Sequence, residues 1–208
     1  MQVMINPFLK WAICAGVFSL TINCGGSIRE VRRIDPNQQT DLSGNWNDTD
    51  ARATSQAMIQ DCLAAGWMAE FLQSQGRKPA IRVREVANRT DEHIDAHVFL
   101  KSLEKALLQS GKVRLLAQEG GEIGSMEKEQ ERSASGKQSD RSPVSIGNEA
   151  GADFVLSTRM TSIVDQFDKR RAKFYKINMD LIDSTTGEKV WIGDHEIKKL
   201  IEQDDYRW

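Results

Sequence analysis

His93 and His97 stand four residues apart, with Asp91, Glu92 and Asp95 around them. On one continuous helix the two imidazoles would share a face and could bind zinc. Asp95, however, is a good helix N-cap, so the helix starts after His93 and that geometry is lost. The order H-I-D-A-H also lacks the glutamate that follows the first histidine in the zinc-protease motif. Asn88–Asp95 (NRTDEHID) therefore reads as a polar loop dense in hydrogen-bonding groups. Two roles suit it. Its polar groups can cap the helix and pin a strand end, or Asn88, Arg89, Thr90 and His93 can form part of a contact surface for another protein. Ser102 and Lys105 match the serine–lysine spacing of penicillin-reactive enzymes, but the companion S-D-N and K-T-G elements are absent. No G-x-S-x-G elbow and no phosphate-binding G-x-x-x-x-G-K-[ST] loop occur either. The residues thus point to no catalytic group, metal or cofactor, and the chain is expected not to be an enzyme.

Covalent chemistry is expected elsewhere. After Lys10 an apolar run extends from Trp11 to Ile22 and closes on Leu20–Cys24, LTINC, followed by Gly25 and Gly26. The run is too short to span a bilayer, which takes about 20 apolar residues, and it suits the core of a secretory signal. A cysteine at that place is where a bacterial lipoprotein is acylated and cleaved, so residues 1–23 are expected to be removed and Cys24 lipidated. Ordinary signal cleavage, with Cys24 incidental, is the competing reading. Multiple fatty chains hold a protein to a membrane far better than one. Cys24 and Cys62 would then be the only cysteines left, and no internal disulfide could form. Cys62 falls at helical spacing with Met58, Ala65 and Leu72, as a small buried residue would.

The full chain carries 28 basic and 30 acidic residues, a net charge of −2. So weak a balance implies no nucleic-acid partner. Residues 24–44 are polar, with few large apolar side chains, and read as an acylated cysteine on a flexible tether. Residues 45–208 are long enough for one domain with a real core.

Along that domain, Asp48, Thr49 or Asp50 can cap a helix from Ala51 to Gln73, interrupted near Gly66 and ended by Gly76, with Ile59, Leu63, Met68, Phe71 and Leu72 toward the core. Pro79–Ala87 reads as a strand, Ala96–Ser110 as a second helix closed by Gly111, and Val113–Ala117 as a short strand. Residues 118–142 are rich in Gly, Ser, Glu and Lys and read as a mobile or partly helical excursion. Phe154, Leu156, Met160 and Val164 then alternate, as do Tyr175, Ile177, Met179 and Leu181. Thr186-Gly187 turns into a third strand with Val190, Trp191, Ile192 and Ile197. The expected fold is α+β: a single mixed or antiparallel sheet ending in a three-stranded meander, with helices packed on it. The cations from Lys169 to Lys173 fall at a hairpin tip and read as solvated.

DLSGNWNDTDAR, the strand into NRTDEHID, the helix ending ALLQSGKVRLL, and the blocks GADFVLSTRMTSIVDQ and INMDLIDSTTGEKVWIGDHEIKK together resemble the LpoB family of lipoprotein activators. The resemblance covers most of residues 41–200. It implies a TolB amino-terminal-like domain without catalysis of its own, anchored at the periplasmic side of the outer membrane. Its implied partner is a class A penicillin-binding protein, a peptidoglycan synthase, and no small-molecule substrate. A structural or secretion lipoprotein of the CsgG type is the alternative, since it has a similar GAD-F-x-L-x-T strand. Such pores need long amphipathic hairpins, whereas the one long insertion here is charged and Gly/Ser-rich.

Overall fold

The computed structural model describes residues 30–36, 38–118, 121–134 and 151–202. The signal segment, Cys24 and residues 135–150 lie outside them. Residues up to Gln38 form a unit of their own, in which the described residues carry no helix or strand. The second unit begins at Gln39 and carries every helix and strand of the described residues.

Helix α1 (Asp48–Ala64) starts on Asn47, not on the expected Asp48, Thr49 or Asp50. The Asn47 side chain accepts from the Asp50 amide at 3.0 Å, and the Asp50 carboxylate accepts from the Asn47 amide at 3.0 Å, a reciprocal box that satisfies two free donors. Asn47→Ala should therefore lower stability by about 1 kcal/mol, the usual worth of such a cap, read as a shift in the urea midpoint. The interruption expected near Gly66 falls at Ala65, whose extended backbone separates α1 from α2 (Gly66–Gln75). Gly76 then ends α2 with φ 60°, a left-handed conformation that glycine adopts without penalty.

The expected first strand is two: β1 (Ala80–Val83) and β2 (Ala87–Arg89). Helix α3 (Ala96–Ser110) runs over the expected residues, capped by Asp95 and closed by Gly111. A two-residue strand β3 (Arg114–Leu115) follows. Within the charged excursion, α4 (Gly121–Ala134) is helical. The meander consists of β4 (Phe154–Phe167), β5 (Arg170–Asp183) and β6 (Lys189–Glu202), fourteen residues each.

The six strands form one mixed sheet in the order β3-β1-β4-β5-β6, with β2 also pairing β4. β1 pairs parallel with β3 and β4, β2 pairs parallel with β4, and β4-β5-β6 is antiparallel throughout. Asp153 locks the start of β4 onto the chain entering β1: its carboxylate accepts two 2.7 Å hydrogen bonds from Arg77 and one of 2.7 Å from the Ala80 amide. These bonds, the Arg77 ones foremost, hold its pKa below the ordinary carboxylate value.

Helices α1 and α3 pack on one face of the sheet. Between them lie Met58, Ile59, Leu63, Phe99, Leu103 and Leu107, against Leu156, Met160, Tyr175, Ile177, Met179 and Leu181 from the strands. Cys62 is buried there, and burial pushes its thiol pKa up to about 12, which keeps it unreactive. The core is narrower than the apolar pattern alone suggests. Leu72 and Ile192 are exposed, and Phe71 and Val164 are half-buried. Trp191 is seated over Gly193, where a Cβ would meet its ring at 2.2 Å, and its indole N–H donates to Asp61 of α1 at 3.1 Å.

Candidate functional site

The loop joining β2 to α3 builds itself from its own polar groups. The Asn88 side-chain oxygen accepts from the Thr90 amide at 3.0 Å and from the Thr90 hydroxyl at 2.7 Å. Its amide nitrogen donates to the Glu92 carbonyl at 3.0 Å. The Glu92 amide in turn donates to the Thr90 hydroxyl at 3.2 Å. These short-range bonds hold the turn from within. The Asp91 carboxylate accepts from the Ser162 hydroxyl of β4 at 2.6 Å. That bond, foremost among several, lowers its pKa.

Glu92 carries the long-range anchor. Its carboxylate accepts from the Lys173 ammonium, the Tyr175 hydroxyl and the Trp46 amide. Burial disfavours the charged form, but Lys173, Tyr175 and the Trp46 amide together outweigh it and hold the pKa below 4.5. Lys173 is only 2% exposed. The expectation of a wholly solvated cation cluster at the hairpin tip fails here: the alternation that buries Tyr175, Ile177 and Met179 carries on to Lys173, which faces the helices. Lys173 also donates to the Asn45 side chain at 2.6 Å.

Directly opposite Lys173 on β6 is Lys199. Two like charges facing one another across strands repel, and the chain answers with carboxylates. Lys199 donates to Asp50 at 2.6 Å, to Asp41 at 2.9 Å and to the Asn45 carbonyl at 3.0 Å. Burial works against the Lys199 charge, yet the two carboxylates prevail and raise its pKa. Lys199 lowers the Asp41 carboxyl to about 2 in return. Residues 40–44, assigned to the tether on composition, are therefore tied to the sheet. Gly44, at φ 65°, lies so close to Ile201 that a Cβ there would meet its side chain at 2.4 Å. Trp46 inserts edge-on between Phe99 (5.6 Å) and Tyr175 (5.7 Å).

Beside this network lies a groove of about 470 Å³, with Trp46, Asp48, His93, Asp95 and Val98 among its lining residues. The four residues expected at a contact surface separate into two pairs. Asn88 and Thr90 are half-buried and spend their polar groups inside the loop. Arg89 and His93 are exposed. Arg89 ends β2, so part of the expected loop is strand. His93 stands outside α3, whose cap Asp95 accepts from the His97 amide at 3.0 Å. Among the described residues no group of three or more His, Cys, Asp or Glu side chains is placed to hold a metal. In the sequence Asp50 stands out only as a helix-cap candidate, Lys173 only as one of the hairpin cations, and Lys199 not at all. The signal for both lysines is their parity with the buried positions of their own strands.

Residues 50–197 match the family model described as peptidoglycan-synthase activator LpoB. The chain belongs to the LpoB family. The family's role is that of a regulator of cell-wall synthesis, acting on an enzyme. Among solved structures, the LpoB C-terminal domain from Escherichia coli is 18% identical, with 72% of this chain and 99% of that one covered and a TM-score of 0.40. Escherichia coli LpoB solved by NMR is 19% identical, with 89% and 87% covered and a TM-score of 0.40. Lipoprotein GNA1162 from Neisseria meningitidis is 17% identical, with 62% and 88% covered and a TM-score of 0.40. No curated protein matches the chain significantly.

Proposed function

We propose that this LpoB-family chain is a lipoprotein, acylated at Cys24 and held to the periplasmic side of the outer membrane, that binds a class A penicillin-binding protein and raises its synthetic activity without catalysing a reaction itself. The family match over residues 50–197 carries this reading. The site's geometry is consistent with it. The titratable groups of the Glu92 network are committed to holding the fold, and the neighbouring exposed groups, Arg89 and His93, are free to meet another surface. Asn88 and Thr90 act as the frame that presents them. Activation follows if the domain binds the active conformer of the synthase more tightly than the inactive one, since equal affinity for both shifts nothing.

The test is glycan polymerisation by a purified class A synthase on lipid-linked precursor, with and without this protein. A faster rate is expected, and an unchanged rate would refute the proposal. Arg89→Ala and His93→Ala should each reduce affinity for the synthase roughly five- to thirtyfold if each truncation removes about 1–2 kcal/mol of contact. Thermal unfolding should be unchanged, because both side chains are exposed. Unaltered stimulation by both variants would take the loop out of the interface. Mass spectrometry of the membrane-extracted protein should find the fatty chains on Cys24.

A further inference from the structure

Strand β6 is an edge: among the described residues the only strand it pairs with is β5. A fourteen-residue edge is long, and its outward amides and carbonyls form a template for another strand. On the face of the sheet turned away from α1 and α3, β6 presents Ile192, Asp194, Glu196, Lys198 and Leu200 in alternation. Ile192 is 62% and Leu200 66% exposed, unusual for large aliphatic side chains on a strand. The order is symmetric about Glu196: an acid and a base lie two residues to either side, and an aliphatic residue lies four to either side.

We infer that the partner of this edge is a second copy of the same chain, joined through antiparallel β6–β6 pairing about a twofold axis at Glu196. Direct pairing on a common face requires the same residue parity in both strands, which leaves few registers. With the axis at Glu196, Ile192 meets Leu200 of the second copy and Asp194 meets Lys198 of the second copy, each contact occurring twice. On the helix-covered face the same register sets Trp191 against Ile201 of the second copy. With the axis moved to His195, Asp194 would face Glu196. With the axis at Ile197, Asp194 would face Leu200 and Ile192 would face Glu202. With the axis at Lys198, Asp194 would face Glu202. Only the register on Glu196 pairs aliphatic with aliphatic and acid with base, the pairings that stabilise neighbouring strands. The two Glu196 side chains meet at the axis, but each is paired with Lys176 of its own β5, at 2.8 Å. Lys176 also reaches Asp194 at 3.3 Å, so two lysines offset the acidic centre. The product is one sheet continuous across both copies, with α1 and α3 of each copy on the same side.

Sedimentation velocity of the full chain in density-matched detergent tests this. The unaltered protein should pass from monomer to dimer as its concentration rises through the micromolar range. Lys198→Asp, and separately Asp194→Lys, turn both symmetric pairs into like-charge pairs and should weaken the dimer roughly tenfold. The double variant Asp194→Lys/Lys198→Asp restores opposite charges in the swapped order and should recover the dimer. Both positions are exposed, so circular dichroism should find every variant folded. A protein that stays monomeric throughout, a dimer indifferent to the single reversals, or a double variant as weak as the singles would each overturn the inference. Amide exchange adds an independent readout: protection along residues 191–201 should grow with concentration, and exchange independent of concentration would also overturn it.

Discussion

Glu92→Ala should destabilise the domain by about 3–5 kcal/mol, the usual effect of leaving a buried charge without its partner. Lys173 is 2% exposed, and with Glu92 removed its ammonium would keep a hydrogen bond to the neutral Asn45 side chain and only a longer-range attraction to the Asp91 carboxylate. The Tyr175 hydroxyl would lose the same acceptor, and the Trp46 amide its hydrogen bond. Lys173→Met should be milder than Lys173→Ala, since an apolar chain of similar length refills the space, although both variants leave the Glu92 carboxylate without its cation. Urea unfolding followed by tryptophan fluorescence would read both. Equal stability of Glu92→Ala and the unaltered protein would mean that the network contributes nothing.

The same site sets a pH dependence. In the folded protein Glu92 has a pKa below 4.5, its value when unfolded. A depressed carboxyl contributes stability that is fully present above the unfolded value and is lost as pH falls through the folded one. Asp91, Asp153 and Asp41 shift in the same direction, Asp41 to about 2. Stability should therefore be flat at neutral pH and decline below about 4.5 toward about 2. Glu92→Gln should show a shallower decline than the unaltered protein. An identical slope would show that this carboxyl does not sense unfolding.

Phe99→Ala is the second large effect, about 3–5 kcal/mol for a fully buried ring. Phe99 is 0% exposed, on the first turns of α3, and its ring meets Trp46 at 5.6 Å. Its loss would open a cavity beneath Trp46 as well as between α3 and the sheet. For a domain of this size, a change of about 1 kcal/mol moves the melting temperature by about 2–4 °C, so a drop on the order of 10 °C is expected. Phe99→Leu keeps most of the volume and should lose less than half as much. If Phe99→Ala melted within about 2 °C of the unaltered protein, Phe99 would not be a keystone of the core.

The local features of this fold were legible in the residues because their causes are local. Period-two alternation marked β4, β5 and β6, and three- and four-residue spacing marked α1 and α3. Asp95, Gly76 and Gly111 marked helix ends, since a cap depends on atoms within one turn. The LpoB resemblance rested on the same blocks, and the family match agrees with it. The helix start went astray by one residue because four adjacent side chains could all cap. Asn47 was selected by its reciprocal bond with Asp50.

What required the tertiary structure was the fate of charge. A lysine is solvated by default, and nothing near Lys173 in sequence announces the carboxylate, 81 residues away, that makes its burial tolerable. Residues 40–44 look like tether because Leu42 is their one large apolar side chain, yet Lys199, more than 150 residues later, fastens Asp41 to the sheet. The division of the loop, with Asn88 and Thr90 turned inward and Arg89 and His93 outward, also waited for the fold. By itself the sequence determined the long helices α1 and α3, the three strands of the meander and the family to which they belong. The fold alone decided which polar groups hold the protein together and which remain free to recognise something else, because the energy of a charge depends on partners that only folding brings near.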